Sequence, residues 1–440
     1  MILGRLLQKL VTPFRALYRV VTIEGLRWAY ARAKANGVLG YVPEPKSLLY
    51  VPASCLPYHI SGYTTRTHAV LSSLQKAGVR LHVLTRPGYP WDRADRLQTP
   101  LEDSAERDGI VYSHAHTPSH HRPLLMYALQ AVEPIMAAAK QHRVTAIQAA
   151  SNHVNALPAL LAARRLGIPF FYEMRGLWEL SRVSRMPDFE GSEAYKQGLA
   201  LEGFIARSAD RLYVISDELG RYAVENWGVD PDRMALLPNC VDPEHFVSAD
   251  SRVVEPNTIG YAGSLLDYEG LDVLIRALAQ LKAEGIVLNL RIVGDGEVRG
   301  ALEALTRTQR LTSQVHFFGR LAPEVAREVI LRSTVVCLPR KPFEVCQIVT
   351  PIKLVEALAM GKPVIVPDLP VFQDELRTES SEVPGWFFKA GDAADLAGVL
   401  KTAFTDAAVL AEKSVLARAH AVKMRNWQRY VRDIYDQLPS

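Results

Sequence analysis

Short apolar segments rich in β-branched residues alternate with amphipathic, helix-like segments along most of this chain. The first strand-like segment, SLLYVPA, begins at Ser47, and a late one, VIV, occupies residues 364–366. Strands that alternate with helices predict a parallel sheet with helices on both faces. We therefore expect an α/β fold. No apolar run is long enough to span a membrane.

One interruption divides this alternation. Residues 238–256 have no clear periodicity and include Pro243 and Pro256. Because 440 residues exceed the size of one usual core, we predict two doubly wound, Rossmann-like domains that face a cleft. The expected parts are a basic segment, two domains and a C-terminal helical segment, at 1–46, 47–243, 244–420 and 421–440. Residues 406–438 should form one helix with Trp427 on its apolar face.

The N-terminal segment differs from the rest of the chain in charge. Residues 1–36 hold seven basic residues against the single acid Glu24, a local +6 within a total of +4, so the remainder carries −2. Apolar residues follow helical spacing from Leu3 to Val21, with a break expected at Pro13. This pattern is typical of a helix on an anionic membrane surface. The alternative is a helix packed on the body of the protein. Interrupting charges exclude a signal peptide.

Cysteines and overall charge restrict the class of protein further. Cys55, Cys240, Cys337 and Cys346 form no C-x-x-C pair, so neither a zinc site nor a disulfide framework is indicated. Free thiols are typical of a reducing compartment, and we predict a cytoplasmic protein, peripheral on the inner face of the membrane if its N-terminal segment binds there. A net charge of +4 is too small to indicate a nucleic-acid partner.

The stretch from Arg340 to Asp368 contains a lysine in an unusual place. Thr350 is a favourable N-cap, and Pro351 suits the first helical position. Lys353 then falls in the first turn, where the helix dipole disfavours a cation. A lysine is favourable there when an anion binds the same helix end, because free N–H groups and an ammonium together cradle a phosphate. The alternative is a solvated surface lysine.

Other small or basic residues follow neighbouring strands of this half. Three such groups are Gly263-Ser264, Gly294-Asp295-Gly296 and Arg340-Lys341. Each alone is a weak signal, since glycines and Asp-Gly pairs are common in turns and charge pairs are usually solvated. Parallel strands end at one edge of their sheet, and ligands of such folds bind outside that edge. We therefore expect one phosphate-binding rim that includes Lys353.

The first half offers fewer candidates. Asn152-His153 follows the strand-like VTAIQAA, and Arg175 follows IPFFYEM. A lone histidine is more often structural, and Arg175 also fits a buried ion pair that shapes the site. Asp230-Pro231-Asp232 matches D-x-D but has the composition of a turn.

A histidine cluster in this half is a weaker candidate. Its members are His114, His116, His120 and His121. No ordered spacing with carboxylates accompanies them, so a polar loop is expected rather than a metal site.

Several segments resemble the family 4 glycosyltransferases of GT-B architecture. They are YAGSLLDYEGLDVLIRAL, VGDG and TPIKLVEALAMGKPVIV, with SDEL at 216–219 and LPNCVDPEHF at 237–246. SGYTTRTHAVLSSLQKAG at 61–78 and YEMRGLWE at 172–179 resemble acceptor-domain segments of that family. The resemblance covers roughly residues 47–435. It implies a terminal helix that crosses back to the first domain.

The resemblance also implies roles for individual residues. Lys353 would meet the diphosphate of a nucleotide sugar, helped by Arg340, and Glu356 would bind the ribose. The remaining donor-binding set is Gly263, Ser264, Gly294, Gly296, Lys341, Thr350 and Pro351. His153 would approach the transferred sugar. The other acceptor-side residues are Gly62, Asn152 and Arg175.

Two departures from the family pattern concern charge. Glu356 matches the second glutamate of an E-x7-E motif, but the first falls at Ile348, and Glu344 is offset by four residues. Many members carry a basic pair around GRL…KG, whereas GSLLDYEG has neither cation. Arg340 or Lys341 is expected to compensate.

We therefore predict a retaining hexosyltransferase that moves a sugar from a nucleoside diphosphate sugar to a glycan or lipid-linked glycan, as in surface or exopolysaccharide biosynthesis. UDP is expected from family frequency. No metal or other cofactor is expected. Partners would be the donor, the acceptor and an anionic membrane surface. The alternatives are a non-catalytic nucleotide-sugar-binding subunit of a membrane polysaccharide assembly and a sugar-nucleotide epimerase.

Overall fold

The computed structural model describes residues 2–35, 40–93, 95, 100–242, 246, 253–378 and 382–440, with side chains from Pro13 onward. The chain divides into two compact units: unit 1 is Met1–Leu237 with Trp427–Ser440, and unit 2 is Pro238–Asn426. The predicted boundary at 243/244 lies outside the described residues. Each unit holds one sheet whose strands alternate with helices, so the predicted α/β class is confirmed.

Unit 1 is built around an eight-stranded sheet. Its strands are β1 (Ser47–Val51), β2 (Arg80–Leu84), β3 (Ser104–Arg107), β4 (Ile110–Ser113), β5 (Ala146–Ala150), β6 (Phe170–Met174), β7 (Arg211–Val214) and β8 (Met234–Leu236). They lie in the order β3-β4-β2-β1-β5-β6-β7-β8. β3 and β4 pair antiparallel, and the other neighbours pair parallel. β1, β5 and β6 are buried throughout, as central strands covered on both faces should be.

Seven α-helices lie in the part of the chain before Pro238 that the structure describes. They are α1 (Ile2–Ala35), α2 (Gly62–Lys76), α3 (Leu124–Gln141), α4 (His153–Leu166), α5 (Trp178–Val183), α6 (Glu193–Ser208) and α7 (Asp217–Trp227). Side-chain caps begin several of them: Ser61 for α2, Asn152 for α4, Ser192 for α6 and Ser216 for α7. No helix in the described part of the chain has both the length and the apolar composition needed to cross a bilayer.

Unit 2 has a six-stranded sheet. Its strands are β9 (Thr258–Ala262), β10 (Asn289–Val293), β11 (Val315–Gly319), β12 (Val335–Cys337), β13 (Val364–Pro367) and β14 (Gly385–Phe388). All neighbours pair parallel, in the order β11-β10-β9-β12-β13-β14. Strand order therefore reverses between β9 and β12. In doubly wound folds, ligands bind at the carboxyl ends of the strands at this reversal.

Among the described residues from Pro238 onward there are nine α-helices. They are α8 (Leu271–Ala283), α9 (Arg299–Thr308), α10 (Pro323–Leu331), α11 (Glu344–Ile348), α12 (Ile352–Ala359), α13 (Pro370–Glu375), α14 (Ala393–Ala403), α15 (Ala407–Met424) and α16 (Trp427–Gln437). The tail thus forms two helices, and the prediction of one helix over 406–438 is wrong. α16 belongs to unit 1, where it contacts α2. There Asp433 accepts hydrogen bonds from Arg211 Nη2 at 2.8 Å and the Tyr213 hydroxyl at 2.9 Å.

The N-terminal helix α1 is continuous and packs one side on unit 1. It runs through Pro13, so the expected break there is wrong. α1 contacts α3, α4 and α6, and Leu26 and Ala29 are buried. These contacts offset the hydrogen bond that a proline cannot donate. Arg19 also donates to Glu193 on α6 at 2.7 Å. One side of α1 therefore packs on the body of the protein, which was the alternative prediction for this segment.

Candidate functional site

Two glycines bring the carboxyl ends of β9 and β10 into backbone contact. The N–H of Gly263 donates to the carbonyl of Val293 at 2.9 Å, and that of Gly294 donates to the carbonyl of Gly319 at 2.7 Å. A Cβ on Gly294 would lie 1.8 Å from the carbonyl oxygen of Gly263, and its φ is +130°. A Cβ on Gly263 would lie 2.8 Å from the Nζ of Lys353. Position 294 therefore requires glycine, and a side chain at position 263 would displace the Lys353 ammonium.

Four side chains form what we call the Lys353 cluster: Tyr261, Glu269, Arg340 and Lys353. The Lys353 ammonium lies 2.7 Å from a carboxylate oxygen of Glu269 and donates to the Tyr261 hydroxyl at 2.8 Å. Burial lowers the pKa of Lys353 below its ordinary 10.5, while Glu269 opposes this change. An ammonium has three donors. The two contacts leave the third donor for a ligand, since the described residues supply no further partner.

The Arg340 guanidinium is also committed to this cluster. It contacts the two carboxylate oxygens of Glu269 at 3.2 and 3.3 Å and donates to the carbonyl of Val349 at 2.9 Å. Despite burial, the charges of Arg340 and Lys353 lower the pKa of Glu269 to about 2. One anion and two cations give the cluster a net charge of +1. A partly buried site of positive charge at the carboxyl ends of the strands suits an anion.

Other residues predicted to bind the nucleotide-sugar donor also lie in unit 2, but their surroundings differ. Lys341 is ion-paired with Asp267 at 2.8 Å and Asp272 at 3.1 Å. Lys341 and Arg340 are therefore both paired with protein carboxylates. Their expected compensation of the diphosphate charge stays a prediction. The side chain of Ser264 is exposed. A Cβ on Gly296 would lie 2.2 Å from a carbonyl oxygen of the β9–α8 loop, so this turn also packs tightly.

The start of α12 differs from the prediction. The helix begins at Ile352, Pro351 holds the N-cap position, and no side chain caps it. The prediction that Thr350 is the N-cap is therefore wrong. Extended backbone at Pro351, with φ −75° and ψ 137°, moves the helix start by one residue. Thr350 is buried, and its Oγ1 has no partner in the described part of the chain, while its carbonyl accepts from Asn239 Nδ2 at 2.7 Å.

Glu356 lies one turn after Lys353 on α12. Its carboxylate is partly buried and forms no hydrogen bond with any described residue, and burial raises its pKa above 4.5. Such a carboxylate can accept hydrogen bonds from ligand hydroxyls. Ile348, where the motif would place another glutamate, is 7% exposed on α11, so an apolar contact replaces a charge there.

In unit 1, His153 begins α4 beside two buried carboxylates. Its backbone N–H donates to Glu202 Oε1 at 2.6 Å, and its Nδ1 lies 3.2 Å from the same oxygen. Glu179 Oε1 lies 3.8 Å from that Nδ1. The Tyr172 hydroxyl donates to Glu202 Oε2 at 2.5 Å. We call these four residues the His153 cluster.

Arg175 belongs to a buried network of ion pairs. Its Nε donates to Glu173 at 2.8 Å, its Nη1 to Thr67 at 2.8 Å and its Nη2 to the Tyr50 hydroxyl at 2.7 Å. Arg66 contacts the same carboxylate at 2.9 Å. Despite burial, the two guanidinium groups lower the pKa of Glu173 to about 2. Arg175 therefore stabilises the chain at the end of β6. Its contact with an acceptor stays a prediction.

The other acceptor-side candidates lie at helix starts. Gly62 is the exposed first residue of α2. Asn152 caps α4 by accepting from the N–H of Val154 at 3.3 Å. Asp230 accepts from the N–H of Asp232 at 3.1 Å within a 3-10 turn, so the turn prediction is confirmed.

The clustered histidines have separate partners. His116 contacts Asp103, and His120 contacts Asp92, each at 2.7 Å. His114 Nδ1 lies 2.7 Å from Thr85 Oγ1. Within the described ranges, no group of three or more His, Cys, Asp or Glu residues has the arrangement of a metal site.

Both halves of the chain match known families. Residues 61–240 match the family described as glycosyl transferase 4-like domain, and residues 246–418 match glycosyl transferases group 1. The chain belongs to the family 4 glycosyltransferases. It is 32% identical over 222 residues to phosphatidyl-myo-inositol mannosyltransferase of Mycobacterium leprae (strain TN), covering 48% of this chain and 56% of that protein. It spans 46–64% of the length of several curated relatives that it matches.

Solved structures place this glycosyltransferase in a known architecture. Sucrose-phosphate synthase from Thermosynechococcus elongatus aligns with a TM-score of 0.71 at 18% identity, over 89% of this chain and 99% of that one. Anabaena Alr3699/HepE in complex with UDP-glucose aligns with a TM-score of 0.65 at 16% identity and the same coverage of each chain. The predicted GT-B fold is confirmed.

Three carboxylates of this glycosyltransferase were missed from the sequence. Glu269 lies in GSLLDYEG, where the family resemblance implied a cation, and an acid there was a usable sign of a partner for Arg340. Glu179 lies in YEMRGLWE, where the sequence favoured it only as a partner in a buried ion pair of Arg175; Arg175 pairs with Glu173 instead, and Glu179 lies 3.8 Å from His153 Nδ1. Glu202 lies on α6, in a stretch with no recognisable motif.

Proposed function

We propose that this glycosyltransferase moves a hexose from a nucleoside diphosphate sugar, with UDP as the nucleotide, to a hydroxyl of a glycan or lipid-linked glycan. The observation that carries the proposal is the Lys353 cluster, a buried site of net charge +1 at the strand reversal of unit 2. The solved complex of Anabaena Alr3699/HepE with UDP-glucose supports the choice of donor. The mannosyltransferase relative, named for a phosphatidyl-myo-inositol substrate, supports a lipid-linked acceptor.

In the proposed reaction, the bond between the anomeric carbon and the diphosphate oxygen breaks, and that oxygen gains negative charge. Lys353 and the N–H groups at the start of α12 stabilise this charge, and Arg340 adds to the local field. The acceptor oxygen then bonds to the anomeric carbon and gives its proton to the departing diphosphate oxygen. Retention of configuration follows the family resemblance. Because cations and N–H groups neutralise the leaving group, no metal ion is needed.

For His153, which lies in unit 1, we propose the role that the family resemblance implies. Its Nδ1 faces Glu202, whereas its Nε2 has no partner in the described part of the chain. The side chain is 11% exposed, so a ligand can reach it. Nε2 is proposed to hydrogen-bond the sugar that is transferred. Glu356 is proposed to accept hydrogen bonds from the ribose hydroxyls.

The test is a screen of UDP-, GDP- and ADP-sugars with and without glycan and lipid-linked acceptors. We expect release of UDP that depends on an acceptor, together with a raised melting temperature in the presence of UDP. Binding of a nucleotide sugar without turnover under any acceptor would support the non-catalytic subunit instead. Altered sugar recovered on intact nucleotide would support the epimerase.

We further propose that α1 holds the enzyme on an anionic membrane, as in the biosynthesis of surface polysaccharides. The helix carries an exposed apolar stripe of Phe14, Leu17, Val21 and Trp28 on the side away from Leu26. Leu17 and Trp28 are 62% and 64% exposed. Basic residues of the same helix supply attraction to anionic lipid, worth about 1 kcal/mol each near the surface.

The membrane proposal is tested with liposomes of phosphatidylglycerol and phosphatidylcholine. Removing residues 1–40 would also remove the buried side of α1, so the sharper variant is L17S/V21S, which changes exposed positions only. The native protein should sediment with the anionic liposomes at low salt, and less at high salt. The variant should stay in the supernatant. Equal sedimentation of both proteins would refute the role of the stripe.

A further inference from the structure

The imidazole of His153 contacts Glu202, a residue outside the family segments noted above. Two hydrogen-bonding groups of His153, its backbone N–H and its Nδ1, face one oxygen of Glu202. The second oxygen of Glu202 is held by Tyr172. The side chain of Glu202 is 1% exposed, so it is fixed by protein contacts. A carboxylate fixed in this way can orient the ring that it contacts.

We propose that Glu202 is a positioning residue, which orients His153 through Nδ1 and keeps the ring protonated so that Nε2 donates a hydrogen bond to the donor sugar. The proposal rests on the proposed function for the role of Nε2. Two elements contribute charged groups that face the ring: α6 with Glu202 and α5 with Glu179. Tyr172 on β6 contacts Glu202 rather than the ring.

The charges around the ring favour an imidazolium. Burial by itself lowers the pKa of His153, but the hydrogen bond and charge of Glu202, followed by the charge of Glu179, outweigh burial and raise that pKa above 6.5. When Nδ1–H donates to the Glu202 carboxylate, a protonated ring presents Nε2–H as its remaining donor. A sugar hydroxyl can accept that hydrogen bond.

Glu179 plays a secondary part. Burial and the charge of Glu202 raise the pKa of its carboxyl, so it competes with His153 for protons. Its Oε2 is buried without a hydrogen-bond partner in the described part of the chain. A Cβ on Gly198 would lie 1.9 Å from Glu179 Oε1, which shows how closely α6 approaches this carboxyl. Glu202 lies nearer to Nδ1 and dominates.

The decisive measurement is the titration of His153 by NMR of protein labelled with 13C at histidine Cε1, with H153Q used to assign the signal. In the native protein the midpoint should lie above 6.5. In E202Q, whose amide oxygen can still accept from Nδ1–H, the midpoint should fall by about one pH unit or more because an adjacent opposite charge is lost. E179Q should lower it less. E193Q is the matched control, because Glu193 precedes Glu202 on α6 by about 13 Å. It should leave the titration midpoint of His153 unchanged.

A native midpoint at or below 6.5, or an unchanged midpoint in folded E202Q, would overturn the proposal. If E202Q fails to fold, the native and E179Q titrations still decide. Activity supplies the second readout: in E202Q, kcat should fall and the alkaline limb of the pH profile should move to lower pH, while stabilisation by UDP stays the same. If the native protein transfers no sugar from any donor, the proposed function fails, yet the titration still tests the positioning by Glu202.

Discussion

Replacing Glu269 by Gln is the sharpest test of how the Lys353 cluster is held together. The substitution keeps the shape but leaves the Arg340 guanidinium and the Lys353 ammonium, 8% and 14% exposed, without their shared carboxylate. The fall of the Glu269 pKa from 4.5 to about 2 corresponds to about 3 kcal/mol of stabilisation. Removing one partner of a buried ion pair costs about 3–5 kcal/mol by a separate argument. We therefore expect unit 2 to lose about 3 kcal/mol.

The measurement is native-state hydrogen exchange, read from peptides covering β9 and β13, which reports on unit 2 by itself. The control is E303Q, which removes a half-exposed carboxylate paired with Arg299 on α9 and should cost at most about 1 kcal/mol. Equal effects of E269Q and E303Q would refute the reasoning. They would mean that the Glu269 ion pairs contribute no more than surface contacts.

The same prediction has a pH dependence whose sign is fixed. The folded-state pKa of Glu269 is lowered, so its contribution is fully present above 4.5 and is lost as the pH falls towards about 2. The difference in stability between the native protein and E269Q should therefore be constant near neutral pH and should shrink below pH 4.5. A difference that grew on acidification would contradict the assignment.

Three further predictions concern the chemistry and the tail. K353M should lower transfer by about 100-fold, the loss expected for one preorganised hydrogen-bond donor, while K401M on α14 should transfer normally. A steady-state assay of UDP release compares the two variants. Normal turnover in K353M would exclude the assignment of Lys353 to the diphosphate. Transfer should survive excess EDTA, and loss that magnesium or manganese restores would contradict the metal-free mechanism. D433N should destabilise unit 1 by about 1.5–3 kcal/mol in urea, because Asp433 accepts from Arg211, whereas D436N should have little effect; equal midpoints would contradict this.

Much of the fold could be predicted because long helices carry their own periodicity and the buried central strands are largely apolar runs. The short elements could not, since tertiary contacts stabilise them. α11 has five residues. The edge strand β3, with sequence SAER, has no apolar alternation, and its pairing with β4 depends on the turn at Asp108-Gly109, where both φ angles are positive. That Asp-Gly pair was the signal available for the missed strand.

The residues of the candidate site could likewise be predicted only in part from the sequence. Gly263 and Gly294 could be found because a close backbone approach needs only a small residue after each strand. The partners of the charged residues could not. Glu269 lies 71 residues before Arg340, and Glu202 lies 49 residues after His153. Pairing across such separations is set by how the strands are ordered in the sheet, which periodicity does not reveal.

Because α16 belongs to unit 1, the order of synthesis differs from the order in which the units can finish folding. All of unit 2, residues 238–426, is made before α16 is. Until then, a nascent unit 1 lacks the helix that contacts α2, and Arg211 lacks its carboxylate. Domains usually fold from the N-terminus as they emerge from the ribosome. In this chain, unit 2 should complete its native contacts first, and unit 1, although it is made first, should complete them last.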